Sequence, residues 1–318
     1  MKSQNKFTVI STFSGGGGSS CGYIKAGGKV LLAVEMDKNA IATYQANFPI
    51  TPIYKGDIHN LTIKKIKEIT GINKGELDIL DGSPPCQGFS LSGKKNVCDP
   101  RNQLYNEYAR LLKSLMPKTF VMENVKGLIT GKNKIIFKDI LTQLKSCGYN
   151  VKVRLMNAKW YNVPQSRERV IFIGIRNDLN KEASHPKPQS KPKTVKESLK
   201  NIKPDYIKKP SPLSLKFAKL SKPGNRLSKV HPKGHYFNHY LIDVNKPSPT
   251  LIKESLGKFI FPGNYRILTP NEAKILSSFP EDFKLTGSEY EQMARVGNAV
   301  PPNLIKAVAN HIYNNYLK

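Results

Sequence analysis

Acidic residues are scarce in this chain: 23 Asp and Glu stand against 51 Lys and Arg in 318 residues, a formal net charge of +28. That imbalance argues for a polyanionic partner, because neutralising phosphates drives sequence-independent binding to nucleic acids. A basic surface that merely keeps the protein soluble is the blander alternative. Cysteine is rare too. Cys21, Cys86, Cys98 and Cys147 are widely spaced and form no C-x-x-C pair, so neither a metal site nor a disulfide framework is expected, and a reducing compartment fits best. Apolar runs are short. None approaches the roughly 18 residues that cross a bilayer, and Met1-Lys2-Ser3-Gln4-Asn5-Lys6 leads into a strand pattern without a signal-peptide core. A cytoplasmic protein without membrane contact is therefore expected. No internal repeat is visible, and the length suits one large domain with a smaller companion.

What is present is a series of strand-like runs that end in chemically distinctive residues. Phe7 to Ser11 reads as a strand followed by Gly15-Gly16-Gly17-Gly18 and a helical stretch from Ser19 to Ala26. A second strand, Val30 to Val34, ends at Glu35, and a helix from Lys38 to Phe48 follows. The distance from glycines to acid is close to the ~20 residues of dinucleotide folds. The apolar run Leu77 to Leu80 leads into Gly82-Ser83-Pro84-Pro85-Cys86-Gln87-Gly88-Phe89-Ser90. Asp99-Pro100 then offers an N-cap and a first-turn proline for a helix from Arg101 to Met116, stopped by Pro117. Thr119 to Met122 is a further strand and delivers Glu123. A glycine loop, an acid, a cysteine and an acid at successive strand ends form a site along the carboxyl edge of a parallel sheet.

Period-two geometry places Gln165, Arg167 and Arg169 on one face where Gln165-Ser166-Arg167-Glu168-Arg169 enters the strand Val170 to Ile175. An alternating charged surface strand reads the same way. Between Arg176 and Tyr265, 19 Lys and Arg face 6 Asp and Glu, and 11 of the 22 prolines fall there. Such a stretch is a disordered linker or an irregular domain that grips phosphates. Its apolar anchors Phe217, Tyr236, Phe237, Tyr240, Leu241, Leu251, Phe259 and Ile260 favour the domain. Thr269-Pro270-Asn271-Glu272 looks like a helix start, and Leu304 to Tyr313 carries a helical stripe.

The nonapeptide around Cys86 resembles the catalytic loop of the cytosine-C5 DNA methyltransferases of bacterial and phage type, associated with restriction-modification. The family's blocks follow in order from Phe13 to Pro302, with only the middle segment unmatched. The resemblance implies an α/β fold, a Rossmann-like S-adenosylmethionine-dependent methyltransferase sheet with helices on both faces. It implies a large domain, residues 1–175, completed by a C-terminal helix at 291–318, and a small irregular domain, 176–290. Target recognition would lie at about 176–265, where Thr250-Leu251 resembles a pair common in that region.

Cys86 is then the nucleophile that adds to C6 of cytosine, since C5 is too weakly nucleophilic to take a methyl group unaided. Glu123 in Glu123-Asn124-Val125 would hold N3 and the exocyclic amine. The Gln-x-Arg-x-Arg match implies that Arg167 touches the O2 side, while Gln165 and Arg169 complete the motif and Arg169 supports local structure and phosphate contacts. Phe13, Ser14, Gly15, Gly17 and Gly18 resemble the family's cofactor loop. A lone glycine run serves equally as a flexible turn or a phosphate cradle. No Gly-Lys-Ser/Thr follows, however, and Glu35 is placed to accept ribose hydroxyls from S-adenosylmethionine. Met36 would pack on the adenine and Asp57 bind its amine, with Ile58, Pro85, Leu104, Asn298 and Ala299 lining the pocket. Leu104 could equally be core.

The segment Gln87 to Asp99 would be a mobile catalytic loop. Thr12 and Arg295 depart from the family pattern without touching the reacting groups. Double-stranded DNA is the implied partner of a monomeric enzyme, with room for a cognate restriction endonuclease. A tRNA methyltransferase of the same family is the runner-up, and its Cys-Phe-Thr tripeptide is absent here. A catalytically silent DNA binder would have no need of an activatable thiol.

Overall fold

The computed structural model describes residues 5–85, 104–236 and 238–318. Cys86, the Gln87 to Asp99 loop, the Asp99-Pro100 helix start and Phe237 lie outside the described residues.

The chain forms two compact units, each drawn from separated segments. The first comprises Met1–Met156, Glu168–Lys187 and Ile305–Lys318, and the second Asn157–Arg167 and Pro188–Leu304. In the first unit, β1 (Phe7–Thr12), α1 (Gly18–Lys25), β2 (Gly28–Glu35), α2 (Lys38–Asn47), β3 (Ile53–Lys55), α3 (Ile63–Thr70) and β4 (Ile79–Gly82) alternate strand with helix. They are followed by α4 (Leu104–Leu115), β5 (Thr119–Val125), α5 (Lys134–Ser146), β6 (Tyr149–Asn157) and β7 (Glu168–Arg176). The seven strands form one sheet in the order β3-β2-β1-β4-β5-β7-β6. The pairs β1–β2, β1–β4, β2–β3 and β4–β5 are parallel, and β7 runs antiparallel to β5. The α/β, Rossmann-like class is as expected, as is a strand over Val170 to Ile175; β3, α3, α5, β6 and the antiparallel direction of β7 are additions.

Strand order reverses between β1 and β4. Chain connections from these neighbours leave in opposite directions, which opens a crevice at their carboxyl ends where α/β proteins seat ligands. The glycine loop follows β1, and the segment leading to Cys86 follows β4. Packing holds this edge closely. A Cβ on Gly82 would lie 2.5 Å from Thr12 Oγ1 and 2.6 Å from the Tyr108 ring, so only glycine lets β1, β4 and α4 meet there. One sheet face buries Ile10, Leu32, Leu80, Phe120 and Phe172 in a core with Ile66 of α3, Leu111 and Leu112 of α4, and Ile140 and Leu144 of α5. Each fully buried aliphatic or aromatic side chain contributes on the order of 1.5–3 kcal/mol.

The second unit has little regular structure, as its prolines dictate: each removes a backbone donor. It holds α6 (Val195–Leu199), α7 (Pro212–Leu220), the two-residue strands β8 (Tyr240–Leu241) and β9 (Phe259–Ile260), α8 (Pro270–Leu276) and α9 (Glu289–Asn298). Helix α8 begins on Thr269, in a capping box with Glu272. Phe217, Leu241, Leu251, Phe259 and Ile260 are buried, and Tyr236 and Tyr240 half-buried. They divide between two apolar clusters.

The unit boundaries fall elsewhere than at 175 and 290. Asn157–Arg167 joins the second unit because its polar groups bond to residues 248–251, as when Thr250 Oγ1 donates to Ser166 O at 2.7 Å. Return to the first unit begins at Ile305, within α10 (Pro302–Ile312), because Met293 and Val296 of α9 belong to the core of α8.

Candidate active site

Beyond β1 the backbone turns through left-handed geometry at Phe13 (φ 53°), Gly15 (φ 55°) and Gly17 (φ 96°). The turn is fixed by Ser14 N donating to Val34 O and Gly17 N to Ser14 O, both at 3.0 Å. Phe13 packs against the core, and Gly18 opens α1. Glu35, at the end of β2, reaches across. Its carboxylate accepts from Gly15 N and Met36 N at 2.8 Å and from Asp37 N at 2.9 Å. Three N–H bonds aim the group over the glycine loop. Around Gly15 a Cβ would meet nothing within 4 Å, so a ligand has open approach to the backbone beside the carboxylate. These residues fit a ribose-bearing cofactor such as S-adenosylmethionine.

Gly17 is constrained differently. A Cβ there would collide with the Phe48 ring and stand 3.2 Å from the Tyr44 ring. Gly17→Ala is expected to lose about 1–3 kcal/mol from strain and overpacking. Thermal unfolding should show the loss, and titration with S-adenosylhomocysteine should show weaker binding. An unchanged melting temperature would refute the constraint.

Glu123 emerges at the carboxyl end of β5, 8% exposed. Arg169 of β7 stands beside it, Nε to Oε1 at 2.8 Å. Burial lowers the Arg169 pKa and the Glu123 charge opposes that shift; a guanidinium keeps its charge in such a setting. Asn124 Nδ2 donates to Pro84 O at 3.4 Å, tying the end of β5 to the segment that runs through Pro85 toward Cys86.

The expected common face for Gln165, Arg167 and Arg169 does not form, because β7 begins at Glu168 and the two earlier residues belong to the second unit. Arg167, expected at the O2 side of cytosine, is buried, donating to Leu251 O at 2.7 Å and Gly297 O at 2.8 Å. Gln165 donates to Ser277 Oγ at 2.9 Å and accepts from Leu251 N at 3.2 Å. Both side chains stitch peptide segments together. Asn298 ends α9 exposed to solvent, with Ala299 half-buried after it.

Of the other expected residues, Met36 is 65% exposed beside Glu35, whereas Ile58 and Leu104 pack into or against the core. Asp57 caps a short turn, bonded to His59 N at 3.0 Å and to His59 Nδ1 at 2.7 Å, and these contacts lower its pKa. Sequence reasoning passed over Asp81, in β4. It is 2% exposed and accepts from Ser11 Oγ at 2.8 Å and Tyr23 Oη at 3.0 Å. The signal was a carboxylate interrupting an apolar strand run.

Comparison with known proteins reaches over nearly the whole chain. The family model for C-5 cytosine-specific DNA methylases matches residues 7–314. The Type II methyltransferase M1.HphI of Haemophilus parahaemolyticus is 34% identical over 96% of this chain and 86% of its own. M.NgoPII of Neisseria gonorrhoeae, also a Type II methyltransferase, is 31% identical over 96% and 95%. Among solved structures, one assigned as a DNA modification methyltransferase encoded within an E. coli prophage superposes with a TM-score of 0.78 at 27% identity, covering 97% of this chain and 99% of its own.

Proposed function

The chain belongs to the C-5 cytosine-specific DNA methylases, S-adenosylmethionine-dependent enzymes, and from that premise we propose that it methylates a cytosine turned out of a specific duplex sequence. The observation that carries the reading is the Glu123–Arg169 pair, buried at the end of β5 beside the strand that leads to Cys86. C6 and C5 are inaccessible in a stacked pair, so the base leaves the helix at a cost of a few kcal/mol, offset by phosphate and groove contacts. The basic second unit is suited to supply those contacts.

In this reading Cys86, as thiolate, bonds to C6, and negative charge spreads over the ring. Glu123 relieves it by holding a proton at N3. Because O2 neighbours N3 on the pyrimidine, the donor for O2 is the arginine beside Glu123, which is Arg169. Arg167 instead maintains the fold around Leu251 and Gly297. The cofactor supplies the electrophilic methyl group for C5. Gly15 and Glu35 bind its ribose end, with Met36 against the adenine. Relatives named as Type II methyltransferases support pairing with a cognate restriction endonuclease.

The test is methyl transfer from labelled S-adenosylmethionine to mixed-sequence duplex DNA with tRNA as competitor, followed by digestion to nucleosides. Label in 5-methylcytosine from DNA is expected. Label in tRNA alone would move the assignment to the RNA branch, and none in either would refute the reading.

A further inference from the structure

Ser11 on β1 and Asp81 on β4 are register partners, as are Asp81 and Val121 on β5. Glu123 is two residues beyond Val121, so period-two alternation puts Ser11, Asp81 and Glu123 on one face of the sheet. Tyr23 comes down onto the same carboxyl group from α1, the helix that the glycine loop starts. Asp81 therefore touches the strand before that loop and the helix after it, while its own strand leads to Cys86. Thr12 Oγ1 adds a bond to Asp81 O at 2.9 Å.

We propose that Asp81 is a positioning residue for methyl transfer, whose buried carboxyl group ties the elements on either side of the cofactor loop to the strand that leads to Cys86. The proposal rests on the functional reading above. The titratable groups that act on Asp81 from the surrounding described elements are Tyr23 of α1, Tyr44 of α2, Tyr108 of α4 and Glu123 of β5. Burial foremost, with the negative charge of Asp81 adding to it, raises the pKa of all three tyrosines. They stay neutral at working pH. Arg169 pairs with Glu123.

Burial pushes the Asp81 pKa up to about 7, Ser11 and Tyr23 restrain it by hydrogen bonding, and the Glu123 charge raises it further. Below neutrality Asp81 holds its proton, and above it the carboxylate is charged. The folded-state pKa is raised, so the stability contributed by protonated Asp81 is full below about pH 4, the unfolded value, and is lost as pH rises to about 7.

The experiment measures methyl transfer to duplex DNA and thermal unfolding from pH 5 to 9 for the unaltered protein, Asp81→Asn and Tyr23→Phe. Asp81→Asn is uncharged at every pH, so it should lack the step in activity that the unaltered protein shows where Asp81 ionises, near pH 7. The melting-temperature difference between unaltered protein and Asp81→Asn should shrink between pH 5 and 8. Tyr23→Phe removes a donor to the ionised form and should move both transitions to higher pH. Should Asp81→Asn fail to fold, Tyr23→Phe decides alone. Superimposable pH–activity profiles, or a melting difference independent of pH, would overturn the proposal. A protein that methylates no duplex refutes the functional reading instead, and the unfolding series still decides whether Asp81 titrates.

Discussion

Cys86→Ala lowers methyl transfer to duplex DNA by at least about 10⁴-fold, the scale on which loss of a covalent nucleophile is felt. The size of the effect follows from the substrate. Cytosine C5 carries too little electron density to displace a methyl group, and only an adduct at C6 makes it enamine-like. Among the described residues no other thiol suits the role, since Cys21 and Cys147 are buried and burial raises the Cys147 pKa. The check is a pair of measurements. Labelled methyl transfer should vanish, and a duplex containing 5-fluorocytosine, whose adduct has no C5 proton to lose, should be trapped as a denaturation-resistant complex by the unaltered protein alone. Duplex binding by the variant should persist, because phosphate contacts are independent of the thiol. A trapped complex with Cys86→Ala would transfer the role to another residue.

Glu123→Gln should cost about 10²–10⁴-fold in kcat, the range for removal of a positioned general acid. The amide oxygen of glutamine still accepts from Arg169, so folding and cofactor binding should change little. Glu123→Ala behaves differently. It strands the Arg169 guanidinium in a site where the paired side chains are only 13% and 10% exposed. Breaking such a pair costs about 3–5 kcal/mol, and thermal unfolding should separate the two variants clearly. Equal melting temperatures would mean that Arg169 finds another partner; an active Glu123→Gln would remove the acid role.

The first unit was largely legible because its strands and helices are written in local patterns. Helix α4 buries Tyr108, Leu111, Leu112 and Leu115, the positions that helical spacing selects, and β2 ends on Glu35 as its apolar run implies. Short β3, with three residues, leaves too little pattern to detect. The setting of the arginines was less legible for a physical reason. Alternation assumes an extended strand through all three motif positions, yet Gln165 and Arg167 are claimed by carbonyls and amides some 84 to 130 residues away in sequence. Such non-local hydrogen bonding leaves no periodic trace. Asp81 escaped for the opposite reason: its meaning lies in Tyr23 and Ser11, 58 and 70 residues earlier.

The interleaving of the two units has a consequence during synthesis. The first 156 residues carry most of the sheet, yet the last segment of their unit begins only at Ile305, inside α10. At about 5–20 residues per second, the nascent sheet waits on the order of ten seconds or more for that cover. The buried faces of Ile305, Val308 and Ile312 are supplied after everything else. Grafting the second unit into a relative therefore requires two segments: a cassette of 188–304 without 157–167 leaves Leu251 N and the Thr250 hydroxyl without the partners that Gln165 and Ser166 provide.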